Sequence, residues 1–287
     1  MNPLHKATQL TDLCYRAVSN PIRLMPDFII IGAQKGGTTS LYNYLTEHPN
    51  IASASTKEVH FFDHRYQRGL WWYRAHFPTA IEQYYAEQMR KQVFITGEAS
   101  PGYLFHPLVP KRVASLLPHV KLIVLLRNPV DRLYSQYRHK VALGHEKLAV
   151  EEAVAREEER LRGEREKIAT RKHYYSANFQ HFSYKTRGMY AEQLESWFSL
   201  FPREQFLIMK SEDMYKDPSA IYKQTLEFLN VPIYEPKGLQ KEYKQYNKSK
   251  EVPSKLDPGL RQELVEYFKP HNARLYELIG RDFGWDQ

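Results

Sequence analysis

The 287-residue chain contains a single cysteine, Cys14, so no disulfide can form within it. That usage fits a reducing compartment. No apolar run approaches the ~20 residues that a membrane-spanning helix needs. Residues 1–26 carry charge throughout and lack the apolar core of a signal peptide. A cytoplasmic protein is therefore expected. Zinc-ligand spacings, a helix-turn-helix signature and an RNA-binding aromatic motif are all absent, so nucleic acid is not expected as a partner, despite a formal net charge of +8. That charge favours an anionic ligand, or serves solubility alone. No repeat, low-complexity segment or convincing interdomain linker divides the chain. Apolar residues make up 42%, enough for the core of one large α/β domain.

What is present begins at residues 26–40. Phe28 to Ile31 is a short apolar run suited to a strand buried on both faces. It leads directly into Gly32, Lys35, Gly36, Gly37, Thr38, Thr39 and Ser40, after which Leu41, Tyr44 and Leu45 recur at helical spacing. A strand, a glycine-rich turn and a helix start together cradle a phosphate. Glycines let backbone N–H groups approach the anion, and the helix N-terminus contributes a favourable dipole. The order is not that of a nucleoside triphosphatase, because Lys35 precedes the glycine pair. The best candidate for a second strand, Leu122 to Leu126, ends in Arg127 and not in a magnesium-binding Asp. An arginine there points to a second phosphate.

A second constellation surrounds Arg127. Asn128 can cap a helix and Pro129 suits its first position. Arg127 then sits where strand meets helix, able to fork onto a phosphate, with Ser135 two turns further on. Elsewhere, strands are expected at 28–32, 51–53, 93–98, 121–126 and 206–209, and helices at 38–48, 110–117, 129–143, 190–201, 219–229 and 258–279. Residues 69–90 should be helical in part. The charged run 146–172 reads as a solvent-exposed helix with i,i+4 pairs. Residues 173–187, rich in Tyr, Phe, Ser and His, could form a mobile flap. Alternating strands and helices imply one P-loop-like α/β domain: a central parallel sheet of about five strands flanked by helices, with ligands at the carboxyl ends of the strands.

Together, Gly32 to Ser40 and Arg127 with Ser135 resemble the sulfotransferases that use 3′-phosphoadenosine 5′-phosphosulfate (PAPS). The resemblance runs from about Asp27 to the C-terminal region. It implies an N-terminal lead-in over 1–25 and a sulfotransferase domain over 26–287. It also implies that Lys35, Gly36, Gly37, Thr38, Thr39 and Ser40 hold the 5′-phosphosulfate, and that Arg127 and Ser135 hold the 3′-phosphate. No metal is implied, because basic groups and amides neutralise the anion. Lys57-Glu58-Val59-His60-Phe61-Phe62-Asp63 resembles the segment carrying the catalytic glutamate in heparan-sulfate-type enzymes. By that likeness Glu58 is the general base, His60 assists, and Lys35 stabilises the leaving phosphate. A positioned carboxylate is a sensible acceptor for the proton an attacking hydroxyl must lose.

Lys57, His60, Asp63, Ser100 and Tyr103 are the expected acceptor contacts. The last two belong to Glu98-Ala99-Ser100-Pro101-Gly102-Tyr103, which resembles a family segment that usually has lysine where this chain has Ala99. Tyr190, in Arg187-Gly188-Met189-Tyr190, matches a position near the cofactor. Asn247-Lys248-Ser249-Lys250 is a plausible cofactor clamp, with Lys248, Ser249 and Lys250 as contacts. Ala99, the lone cysteine and the missing anchor favour a small-molecule acceptor or an acyl chain on an acyl carrier protein, as in the resembling domains of bacterial polyketide and olefin pathways. A saccharide or lipid hydroxyl is the alternative. Two other classes stay open: a P-loop kinase for a small molecule and a non-catalytic polyanion-binding module. Oligomeric state is not legible.

Overall fold

The structure, a computed structural model, describes residues 15–16, 18–236 and 256–286. Five strands form one parallel sheet: β1 (Phe28–Gly32), β2 (Ile51–Ser53), β3 (Ile95–Ala99), β4 (Lys121–Leu126) and β5 (Phe206–Lys210). Their order is β2-β3-β1-β4-β5. The chain steps from β1 out to β2 and back to β3 on one side, then crosses to β4 and β5 on the other. That reversal opens a crevice beyond the carboxyl end of β1, where open parallel sheets bind ligands.

Successive strand side chains point to opposite faces, and both faces are covered. Phe28, Ile30, Ile123 and Leu125 pack with Leu41, Tyr44 and Leu45 of α1 (Thr38–Thr46), and with Ile221, Tyr222 and Leu226 of the helix Pro218–Leu229. Ile29, Ile31, Leu122, Val124 and Leu126 face the other way, against Val109, Val113, Leu194 and Trp197. Burying each such side chain contributes roughly 1.5–3 kcal/mol, which explains why β1 and β4 read as continuous apolar runs. A third cluster joins Val130, Leu133 and Tyr137 of α2 (Pro129–Ala142) to Leu264, Val265 and Phe268 of the C-terminal helix Pro258–Ile279. Residues 69–90 form two helices, Gly69–Arg74 and Ala80–Arg90, the second closed by a Thr79–Glu82 capping box.

One expectation fails. The run 146–172 is not one solvent-exposed helix but three short ones, Val150–Ala155, Glu157–Leu161 and Glu164–Thr170. Glu146, Glu157 and Glu164 are buried within it because each has inward partners: Glu157 accepts from the amides of Lys185 and Thr186, and Glu146 binds Arg160 and Tyr184. Residues 173–187 hold the helix Ala177–His181, with Phe179, Ser183, Tyr184 and Arg187 buried.

Candidate active site

β1 ends in a loop whose backbone requires its glycines. A Cβ on Gly36 would lie 2.6 Å from the carbonyl of Leu125 and 2.9 Å from that of Ala33. Gly37, the N-cap of α1, has φ 89°, in the region that favours glycine. The Gly36 N–H donates to Ala33 at 2.9 Å, and its carbonyl accepts from Ser211 Oγ at 2.7 Å. Gly36 therefore supplies room, not a donor. The first N–H groups of α1, at Thr38 and Thr39, have no preceding turn of helix to bond to, so they point to the crevice with the dipole behind them. Burial, and then repulsion from Arg127, pulls the Lys35 ammonium down to about 8. Two cations held this close form a site that an anion would relieve, which is the fit expected for a phosphate or phosphosulfate.

Across the loop, residues 57–63 turn sharply, with Glu58 at φ 58° and His60 at φ 55°. Lys57 Nζ donates to Thr39 Oγ1 and lies 3.3 Å from Glu58 Oε1, so one ammonium ties the phosphate-binding helix to the carboxylate. His60 presents Nδ1 to Asp63 at 2.8 Å and Nε2 to Glu58 at 3.3 Å. Burial acts to lower the imidazole pKa, but the hydrogen bonds to Asp63 and Glu58 overcome it and raise it to about 10. For Asp63, burial is again outweighed, by the His60 contact, which holds it at about 2. Burial lifts Glu58 as well, yet His60 and Lys57 bring it below the ordinary carboxylate value. Asp63, His60 and Glu58 thus form an anion–cation–anion row at neutral pH, with half-exposed Glu58 ionised at its open end. His60, Asp63 and His64 bring ligand atoms within 4.8 Å of one another.

Three residues expected to touch ligand are placed elsewhere. Ser100 and Tyr103 are fully buried. Ser100 Oγ donates to Glu98 at 2.7 Å and accepts the His60 N–H at 3.2 Å. The Tyr103 hydroxyl accepts the Phe61 N–H at 2.8 Å. Both are committed to holding the 57–63 turn. Tyr190 is likewise buried, and its hydroxyl donates to the Arg127 carbonyl at 2.8 Å. It fixes the strand end that carries Arg127 and does not reach the crevice. Asp63 shows almost no side-chain surface to solvent, although it does border a pocket of about 340 Å³ with His64, His106 and Arg112.

Arg127 stands at the end of β4, its guanidinium 3.2 Å from the Lys35 carbonyl. Asn128 accepts from Val130 N at 3.0 Å and Asp131 N at 3.4 Å, the cap read from the sequence, and starts α2. Ser135 is partly exposed on that helix. One turn on, His139 and Lys140 also feel the charges of Lys35 and Glu58. Burial, then Lys35, brings His139 to about 4; burial, then Arg187 and Lys35, brings Lys140 to about 8. Sequence reasoning passed over both, although the i,i+4 step from Ser135 to His139 was a usable signal. Lys248, Ser249 and Lys250 lie outside the described residues.

A five-stranded parallel sheet carries a glycine-rich loop with Lys35 after β1, Arg127 at the neighbouring end of β4, and Glu58 tied to the loop through Lys57 and Thr39. The comparisons give the family: residues 25–271 match the sulfotransferase domain, and the chain belongs to that family and is a sulfotransferase. It is 29% identical to the membrane-associated sulfotransferase kil1 of Dictyostelium discoideum, over 93% of this chain and 68% of that protein. It is 28% identical to heparan sulfate glucosamine 3-O-sulfotransferase 6 of Mus musculus, over 96% of this chain and 80% of that protein. The crystal structure of a sulfotransferase from Alicyclobacillus acidocaldarius superposes with a TM-score of 0.67 at 31% identity, covering 92% of this chain and all of the other. Among the described residues no helix is long and apolar enough to cross a membrane.

Proposed function

We propose that the chain transfers a sulfuryl group from PAPS to a hydroxyl, with Glu58 as general base. The observation that carries this reading is the Lys57 bridge from Thr39 to Glu58, which sets an ionised carboxylate beside the anion loop. The donor supplies the sulfur: its bond to the 5′-phosphate oxygen breaks as the acceptor oxygen bonds to sulfur. Glu58 takes the acceptor proton and His60, held cationic, orients it. Lys35 and the amides of residues 37–39 face the developing charge on the phosphate oxygen, the preorganised arrangement that commonly supplies the largest catalytic term. Arg127 and Ser135 hold the 3′-phosphate; the family resemblance adds Lys248, Ser249 and Lys250, which lie outside the described residues, as further contacts.

For the acceptor, an O–H on a small molecule or on a carrier-bound acyl chain is our reading, in a cytoplasmic setting, with the sulfotransferase domain running over 26–287. A saccharide is the second reading, favoured by the likeness to the murine heparan sulfate enzyme. The test is calorimetric titration with 3′-phosphoadenosine 5′-phosphate without magnesium, on wild type and Arg127→Ala. Charge-assisted hydrogen bonds of about 1.5–3 kcal/mol predict a roughly 10- to 100-fold weaker complex for the variant. No binding by the wild type would end the sulfotransferase mechanism in this form. A screen of hydroxylated acceptors against labelled donor then separates saccharides from acyl chains.

A further inference from the structure

Glu98, at the end of β3, is fully buried, and the mechanism above does not use it. Three hydroxyls converge on its carboxyl: Tyr73 at 2.6 Å, Ser100 at 2.7 Å and Tyr103 at 3.3 and 3.4 Å. Two of these hydroxyls have a second task. Ser100 Oγ accepts the N–H of His60 at 3.2 Å, and Tyr103 accepts the N–H of Phe61 at 2.8 Å and of Phe62 at 3.3 Å. The strand end adds a fourth hold, since Ala99 accepts the Glu58 N–H at 3.1 Å. Nearly the whole backbone of the catalytic turn therefore hangs on residues 98–103.

The direction of every bond in this network follows from chemistry. A backbone N–H can only donate, so Ser100 and Tyr103 must accept there and send their own single protons to Glu98. Only a carboxylate accepts from all three hydroxyls at once. The turn also needs holding, because Glu58 and His60 both have positive φ, a conformation costing non-glycine residues about 1 kcal/mol or more each. We infer that Glu98 is the positioning residue of the catalytic turn: acting through Ser100 and Tyr103, it fixes Glu58 and His60 in their left-handed conformations against Asp63 and the anion loop. Burial lifts the carboxyl to about 7, and the donation from Tyr73 and Ser100 opposes that rise. The charged groups facing it are Asp63 and His60.

This inference rests on Glu58 being the base, so the test does not depend on turnover. Tyr73→Phe, Ser100→Ala and Tyr103→Phe each remove one hydroxyl from Glu98 without changing charge. Only the last two also release the turn; Tyr73 stacks on Phe61 at 4.4 Å, a contact that Phe retains. The readout is the NMR titration of the His60 imidazole, with thermal midpoints measured alongside. Ser100→Ala and Tyr103→Phe should drop the His60 midpoint by about one unit or more, as its contacts to Asp63 and Glu58 loosen, whereas Tyr73→Phe leaves it in place. With any acceptor the wild type sulfates, Tyr103→Phe should lose about tenfold in kcat at unchanged KM for the donor, and Tyr73→Phe should lose little. Equal shifts in all three variants, or none in any, would reduce Glu98 to a structural carboxylate. If no acceptor is ever turned over, the His60 titration alone decides the matter, and the failure belongs to the sulfotransferase mechanism.

Discussion

Oδ2 of Asp63 lies 2.8 Å from Nδ1 of His60, and this contact settles the protonation of the site. Burial alone would lower the imidazole pKa; Asp63 on one ring nitrogen and Glu58 on the other outweigh it and favour the cation. Its ordinary value of 6.5 is raised to about 10, so its contribution to stability is complete below pH 6.5 and fades as pH climbs towards 10. Asp63 is held at about 2 against an ordinary 3.8, so its contribution is complete above 3.8 and fades on acidification towards 2. The two values describe one ion pair from its two ends. Thermal denaturation of wild type and His60→Gln across the pH range should show the largest gap between about pH 4 and 6.5, narrowing at both extremes. A gap that widens above pH 8 would contradict the imidazolium.

Glu58→Gln removes the proton acceptor while preserving shape. Its kcat should fall by roughly 10²–10⁴, the usual worth of a general base, while affinity for 3′-phosphoadenosine 5′-phosphate stays near wild type. Single-turnover kinetics and calorimetry separate the two effects. A parallel loss of nucleotide affinity would place Glu58 in the anion site instead.

Gly36→Ala puts a methyl group 2.6 Å from one carbonyl and 2.9 Å from another, and neither is a flexible side chain that can yield. Overpacking of this kind costs about 1–3 kcal/mol, and here it also pushes the loop out of register with α1. Urea denaturation should show the stability loss and calorimetry a loss of nucleotide binding.

Glu157 and Glu158 are neighbours in sequence with opposite fates. Glu157 is buried and accepts from Lys185 N, Thr186 N and Thr186 Oγ1, whereas Glu158 is exposed. Glu157→Ala leaves two partly buried amides without their acceptor and should cost about 1–3 kcal/mol in chemical denaturation. Glu158→Ala should stay within about 0.5 kcal/mol of wild type. Comparable losses at both positions would mean that the segment around Thr186 is not held as described.

The strands β1 and β4 were legible to the residue, because a strand buried on both faces is almost wholly apolar and its ends are marked by Gly, Asp or Arg; the bounds of the short β2 also matched. The Asn128-Pro129 helix start was equally plain, since capping is local chemistry. β3 was placed early: Val93 and Phe94 are as apolar as the strand that follows, and only pairing with β1 and β2 puts its start at Ile95. Charge misled over 146–172, where carboxylates look solvated until Arg160 folds back within the run and donors from residues 184, 185 and 186 arrive from outside it.

The family was legible in the sequence by itself, because the glycine-rich loop after β1 and the arginine at the end of β4 are written in short runs. Tertiary structure decided which of the remaining polar residues face the crevice. Ser100, Tyr103 and Tyr190 carry the same hydroxyls whether they bind a ligand or brace a turn, and only the packing of β3 and β4 turns them inward. The charge on His60 was likewise decided there, by a carboxylate three residues away that a single left-handed turn brings into contact.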